Sequence, residues 1–330
     1  MRENIVHTKV KVQFNFLISD KPSLYMLDYR LVEAFAVVLE EKGFEKAARR
    51  LFITQSAVSQ RIKQLEELYG QILLQRTNPP RPTEAGVSLL NHFFQVRHLE
   101  QDLLARSAQG ERDGFITLAI GINADSLAVW FLTAIQPFLA ERRVVLDLQV
   151  DDQDRTDRLL QGGKVLGCIT TRSSPLQGCR VNGIGAMEYI LCCTPAFYRT
   201  WFPDGLTASA AQRAPSIRFN RKDGLNDLIF RQIFTTIPAS GPTFFVPSTE
   251  SFCDFVKSGL CYGLLPQQQA ENLLEKGEVV DLAPGHRVSV ELFWHCWNLR
   301  SAILESFTAQ LLTGAKDVLT ATAGRQASRK

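Results

Sequence analysis

Between residues 31 and 70, apolar side chains recur with a helical period and the interruptions fall where helices start and stop, which confines this segment to three short packed helices. Leu31, Ala34, Phe35, Val38 and Leu39 stand at i, i+3, i+4, i+7 and i+8, one stripe of a first helix. Gly43 supplies its stop. A second short helix carries Ala47, Ala48 and Leu51, with Lys46, Arg49 and Arg50 around them, and the alanines let another helix approach closely. After a turn at Phe52 and Ile53, Thr54 is placed to cap a third helix by accepting a hydrogen bond from a first-turn amide. The inward stripe of that helix is Val58, Ile62, Leu65 and Tyr69.

The third helix also has an outward face near its N-terminal half, made of Gln55, Ser56, Ser59, Gln60 and Lys63. These side chains suit phosphates and base edges, and a helix, a turn and a second helix with such a face is the sequence form of a helix-turn-helix. Gly70 ends the helix. Residues 71–82 then read as two extended pieces around Asn78-Pro79-Pro80, flanked by Arg76 and Arg81, which is the form of a wing lying on the sugar-phosphate backbone. Charge supports this placement. The window 42–63 holds six basic residues against the single acid Glu45, although the 37 basic and 34 acidic residues of the whole chain leave only +3. Gln55, Ser56, Ser59, Gln60 and Lys63 are therefore expected at base edges or the nearby backbone, and Arg49, Arg50, Arg76 and Arg81 on phosphates, with Thr54 on the same surface as a cap first and a reader second.

Thr83 is placed to cap a further helix running to about residue 110, with apolar Val87, Leu90, Phe94 and Leu103 among polar residues. So long a helix beside a DNA reader is expected to pair with a second chain. The segment GERDG at 110–114 reads as a linker. Beyond it strands and helices alternate: strands at 115–120, 144–150 and 165–170 with helices at 126–139 and 152–161, then strands at 186–193, 216–220, 242–246, 263–265 and 288–294 with helices at 223–234, 250–258, 266–275 and 301–312. That order argues for βαβ units, a parallel sheet with an open carboxyl edge, and two small α/β lobes. The tail after Gly314 is expected to be mobile.

Composition excludes other classes. With 45% apolar and 22% charged residues the 330-residue chain suits a folded, soluble, two- or three-domain protein. The most apolar stretch, 127–139, is broken by Thr133, Gln136 and Pro137, so no membrane span is expected. The first 25 residues lack a signal h-region, which points to the cytoplasm. Seven cysteines without a Cys-x-x-Cys suggest neither a disulfide framework nor a zinc site. His7, His92, His98, His286 and His295 are scattered, and there is no nucleophile elbow or Gly-rich phosphate loop, so neither catalysis nor a cofactor is expected. A DNA reader with a different small-molecule effector, or one with a cysteine redox sensor at Cys168, Cys179, Cys253 or Cys261, and a solute-binding protein are the alternatives.

The stretch LVEAFAVVLEEKGFEKAARRLFITQSAVSQRIKQLEELYG, followed by RPTEAG, resembles the winged helix-turn-helix signature of the LysR-type transcriptional regulators. Leu73-Leu74 stands where Leu-Phe is commoner, and Phe44-Glu45 replaces a usual Ser-containing helix start. Within the family the segments GINADSLAVWFL, GCITT, TPAFYRTWFPDGLT and FNRKDGLND are similar to the LysG/ArgP-type regulators of basic amino-acid export. The resemblance spans residues 27–312. It implies an α+β multidomain chain: an extension at 1–26, a winged helix-turn-helix at 27–86, a linker or dimerisation helix and hinge at 87–114, a two-lobed, periplasmic-binding-protein-like effector domain at 115–313 and a tail at 314–330. Met26 is expected to be the true initiator or the residues before it to be disordered.

The resemblance further implies homodimers or homotetramers on a pseudo-palindromic operator in double-stranded DNA, an encounter with RNA polymerase, and activation of an exporter gene in response to lysine or arginine. For such an effector, the place beyond the carboxyl ends of the strands offers Asn123, Asp125 and Ser126 after the first strand. Ser126 with free backbone amides is suited to a carboxylate. Asp125, Asp223 and Glu250 stand at strand-to-helix junctions as partners for cationic groups, with Thr170, Ser248 and Thr249 as hydroxyl partners.

Overall fold

The computed structural model describes residues 27–107, 114–151, 156–299 and 301–320. The expected extension, most of the GERDG linker, the start of the helix expected at 152 and the end of the tail lie outside these residues. The described residues divide into two compact units, one holding 27–70 with 78–80, the other 71–77 and those from Arg81 onward.

In the first unit α1 (Tyr29–Glu40) starts at Asp28, whose carboxylate accepts from the Arg30 amide at 3.0 Å. α2 (Phe44–Arg50) buries Ala47 and Ala48, and α3 (Gln55–Tyr69) buries Val58, Ile62 and Leu65. α1 packs on both. The expected stripe of α1 is broader than a single line, since every residue from Leu31 to Val38 except Glu33 is buried. Gly70 closes α3 in the left-handed conformation at φ +71°, where a glycine carries no Cβ penalty.

The second unit opens with the antiparallel pair β1 (Leu74–Gln75) and β2 (Arg81–Pro82), in register Leu74 to Pro82. Thr83 then does two jobs: its hydroxyl donates to the Ile72 carbonyl at 2.7 Å and accepts from the Gly86 amide at 3.1 Å, opening α4 (Glu84–Ser107). There follow β3 (Ile116–Ile122), α5 (Ala124–Ser126), a π-helical turn (Leu127–Phe131), α6 (Leu132–Glu141), β4 (Val144–Val150), α7 (Thr156–Gln161), β5 (Gly167–Thr170) and β6 (Cys179–Cys193). The second run is α8 (Pro195–Trp201), α9 (Ala208–Arg213), β7 (Ser216–Arg218), α10 (Leu225–Ile233), β8 (Thr243–Phe245), α11 (Thr249–Lys257), β9 (Gly263–Pro266), α12 (Gln267–Glu275), β10 (Val280–Asp281), β11 (Val288–Trp297) and α13 (Ala302–Lys316).

Here the expected parallel sheet needs correcting. Seven strands form one mixed sheet in the order β10-β6-β11-β5-β3-β4, with β9 also on β6. Only β3–β4 and β3–β5 are parallel, because β11 returns antiparallel between β5 and β6. β7 and β8 form a separate parallel pair. β6 is longer than expected, beginning at Cys179, since its first half pairs with β11 through residues such as Gly183 and Asn182 that show no apolar alternation. A bulge interrupts this ribbon: Leu292 pairs with Gly185 but Phe293 with Gly183, leaving Ile184 extra.

The main core lies on this sheet under α6 and α13, where Trp294 and Phe307 have ring centres 5.6 Å apart and Phe138 meets Phe307 at 5.4 Å. Trp294 Nε1 donates to the Thr308 hydroxyl at 3.1 Å, so even the buried indole is satisfied. Each such side chain removed from water contributes roughly 1.5–3 kcal/mol. Gly314 permits the helix contact, because a Cβ there would come within 2.3 Å of the Ala134 carbonyl.

Candidate nucleic-acid interface and ligand cavity

Thr54 caps α3, its hydroxyl accepting from the Ala57 amide at 3.2 Å and lying 2.9 Å from the Ser56 hydroxyl. With Val58, Ile62 and Leu65 turned inward, Gln55, Ser56, Gln60 and Lys63 are exposed and Ser59 partly so. The expected polar face is thus present on one helix. The expected cationic field is weaker than the 42–63 window suggests, because that window cuts off the neighbouring acids. From Tyr29 to Tyr69, seven basic residues stand against six acidic ones. Arg50 bonds Glu40 at 2.8 Å and Glu41 at 2.9 Å, tying the end of α2 to the end of α1, and these carboxylates raise its pKa. Arg49 pairs with Glu45, and Lys63 lies 3.7 Å from Glu67. Lys42, Lys46, Arg76 and Arg81 are exposed and make no ion pair among the described residues, so Lys42 and Lys46 are phosphate candidates that the sequence reading passed over.

The second unit contains a cavity of about 620 Å³, within the range of small-molecule sites. Its wall comes from the carboxyl ends of β3, β4, β5 and β7 and the start of α11, through Asn123, Asp151, Thr171, Phe219 and Thr249. Asp125 is central. Its Oδ2 accepts from the Tyr189 hydroxyl at 2.8 Å and its Oδ1 from the Thr249 hydroxyl at 2.7 Å, so one carboxylate joins β3's outgoing turn to β6 and to α11. Burial pushes its pKa up, the two hydroxyls pull it down, and Asp223 nearby adds to the rise.

Asn123 is 3% exposed, and neither its Oδ1 nor its Nδ2 has a hydrogen-bond partner. Asp223 is committed differently, its two oxygens accepting from the amides of Phe219 at 2.8 Å and Leu225 at 3.0 Å. Asp227 takes Arg218 at 2.7 Å. Arg158, Lys222 and Arg231 stand exposed on the rim.

Of the residues expected around a ligand, the cavity therefore gathers Asn123, Asp125, Asp223 and Thr249. The others lie outside its wall. Ser126 is buried with its hydroxyl 3.8 Å from Met187 Sδ, and Thr170 is buried with its hydroxyl accepting from the Arg172 amide at 3.4 Å. Ser248 caps α11 by accepting from the Ser251 amide at 3.4 Å, and Glu250 is exposed in the first turn of that helix. Tyr189 was not foreseen, since in the run MEYILCC nothing distinguishes its hydroxyl from a core strand residue.

Of the thiols named as redox candidates Cys168 and Cys261 are buried and Cys179 and Cys253 half-buried, and burial pushes the pKa of all four up, that of Cys179 and Cys261 to about 12. Such thiols form little reactive thiolate. Among the described residues no group of three side chains could hold a metal ion.

Comparison with known proteins agrees with this geometry. Residues 29–87 match the family model described as a bacterial regulatory helix-turn-helix protein, lysR family, and residues 111–316 match the LysR substrate binding domain. The HTH-type transcriptional regulator ArgP of Pectobacterium carotovorum subsp. carotovorum (strain PC1) is 41% identical over 292 residues, 88% of this chain and 98% of that protein. The crystal structure of ArgP from Mycobacterium tuberculosis superposes with a TM-score of 0.80 at 38% identity, covering 90% of this chain and all of that one. Full-length LysG from Corynebacterium glutamicum with bound effector arginine gives 0.75 at 31% identity, over 89% of this chain and all of that one.

Proposed function

Because the chain belongs to the LysR family of bacterial transcriptional regulators, we propose that it senses arginine or lysine in the cytoplasm and activates transcription of a basic amino-acid exporter gene. The chain is a LysR-type regulator similar to ArgP and LysG, and those relatives are named as regulators. In this reading α3 enters the major groove with Gln55, Ser56, Ser59, Gln60 and Lys63 toward base edges. Arg49, Arg76 and Arg81, with Lys42 and Lys46, meet phosphates. One such helix reads few base pairs, so two or four copies joined through their α4 helices occupy a pseudo-palindromic operator and present the complex to RNA polymerase. The effector acts by binding two arrangements of the second unit unequally, the only way a ligand shifts an equilibrium.

The observation that carries the effector reading is Asp125, a half-buried carboxylate on the wall of a cavity and without a protein cation, since a ligand cation supplies the charge partner such a group lacks. The similar LysG structure holds arginine. Calorimetric titration of the full chain with the twenty amino acids, followed by gel-shift of its promoter with the binders, tests the whole reading. Lysine or arginine is expected to bind and to alter operator occupancy; binding of neither removes the effector assignment, and unchanged operator affinity in Ser59→Ala and Lys63→Ala overturns the recognition-helix assignment.

A further inference from the structure

The ribbon of β6 and β11 has a waist. β5 reaches β11 only from Phe293 onward and β9 reaches β6 only from Tyr189 onward, so among the described strands residues 185–188 and 289–292 pair only with each other. The bulge at Ile184 and the φ of +132° at Gly185 fall at the end of this stretch. Two strands twist and bend more readily than a wider sheet, and a bulge adds to both. The waist also divides the second unit: β3, β4, β5, α6 and α13 gather on one side of it, and β9, β10, α11 and α12 on the other.

Residues 317–320 lie on this waist. They leave the end of α13, and Leu319 is buried in the main core. Thr320 then pairs with Ala186 on the outer edge of β6 as one antiparallel bridge. The Ala186 amide donates to the Thr320 carbonyl at 3.0 Å, the Thr320 amide to the Ala186 carbonyl at 3.2 Å, and the Thr320 hydroxyl to the same carbonyl at 2.9 Å. That hydroxyl also lies 3.4 Å from Glu188 Oε1. From the other side of the waist, Gln268 Nε2 in α12 donates to the Val318 carbonyl at 3.0 Å, while Gln268 Oε1 is buried without a partner. An amide kept with half of its bonding unmet costs stability, and the bond it does make is to this segment.

We propose that residues 317–320 are a strap that clamps the ribbon at its waist and so sets the angle between the β3 side and the β9 side of the second unit. The strap is rooted in α13, which packs on α6, and fastens beyond the bulge to β6 and to α12. Fastened, it adds a third strand where the ribbon has two and holds one bend; released, it leaves the bulge free to take others. The bond between Asp125 and Thr249 joins the same two sides, β3's outgoing turn to the start of α11, so strap and cavity act on one bend. Loosening the strap therefore changes how far a ligand in the cavity has to shift the equilibrium. The clamp stands on the geometry alone, and its bearing on ligand affinity rests on the effector reading above.

The test is amide hydrogen exchange read by mass spectrometry, with L-arginine calorimetry, on the full chain as wild type, Thr320→Pro and Gln268→Leu. The first variant removes the amide and hydroxyl that bond Ala186, and the second removes the bond from α12 while leaving Thr320 in place. In both, exchange in peptides of β9 and α12 is expected to rise by about tenfold while peptides of β3, β4 and α6 exchange as in the wild type. L-arginine affinity is expected to change by about fivefold or more, in the same direction in both variants, because each releases the same bend. Faster exchange confined to residues 316–320 overturns the clamp, as a fraying chain end; an equal rise in every peptide overturns it as well, as a general loss of stability. Wild-type L-arginine affinity in both variants overturns the link from strap to ligand. Failure of the wild type to bind L-arginine or L-lysine overturns the effector reading, and the exchange pattern still decides the clamp.

Discussion

Phe52 stands at φ +54° in the turn before α3 with 94% of its surface exposed, so its side chain gains little burial while its backbone occupies the left-handed region that L-residues avoid. Asn tolerates that region far better. Phe52→Asn is expected to stabilise the protein by about 0.5–1 kcal/mol, read as a higher denaturant midpoint with unchanged slope; a lower midpoint would mean that the ring is packed. Asp125 shows the opposite balance, a residue whose setting costs stability and serves binding. Its folded pKa is raised, so the stability it contributes is fully present below the unfolded value and is lost as pH rises through the folded one. A ligand cation favours the ionised form. L-arginine affinity is therefore expected to weaken as pH falls through the raised value of Asp125, whose charged and hydroxylic neighbours are Asp223, Tyr189 and Thr249. Asp125→Asn is expected to lose about ten- to a hundredfold in affinity and to flatten that pH limb in calorimetry.

At the scale of elements, the ends of α3 were readable because their signals are local: Thr54 caps its start and Gly70 closes it, each within a turn of its own position, whereas α1 stops not at a glycine but through Lys42 at φ +55°, with Gly43 extended as the N-cap of α2. Strand positions were readable for the same reason. Strand direction and length were not, since β6 gains its first seven residues by pairing with β11, more than a hundred residues away. α8 and α9 went unassigned although both carry a local start, Thr194 accepting from Phe197 and Thr207 from Ala210, each at 3.2 Å. The β6–β11 ribbon depends on its bulge. Gly185 adopts φ +132°, and a Cβ there would lie 2.6 Å from Leu319 Cβ. Gly185→Ala is expected to destabilise the second unit by about 2 kcal/mol or more, measured by thermal or urea unfolding, and retention of full stability would show that the ribbon yields without strain.

For the molecule as a whole, the question is how the ligand cavity reaches α4, the helix that joins the sensor to the DNA-reading head in sequence. One contact lies on that route. Gly163, in the turn between α7 and β5 at φ +65°, receives the ring of Phe94 from α4 so closely that a Cβ would fall 2.1 Å from Phe94 Cδ2. Gly163→Ala must displace the ring or the helix. It is expected to change, by severalfold, the ratio of operator affinities measured by gel-shift with and without L-arginine; an unchanged ratio would place the coupling elsewhere. The sequence by itself determined the reader helix, its cap and polar face, the alternation of the second half and the family, because periodicity, caps and turn glycines act over a few residues. It also named Asn123, Asp125, Asp223 and Thr249. Only the tertiary structure decided which of the named residues share a cavity, that Ser126 turns into the core instead, that Tyr189 and Thr249 hold Asp125, and that Glu40 and Glu41 beside the basic window take up Arg50. Those facts depend on side chains brought together by strand pairing across the chain, and no local pattern encodes them.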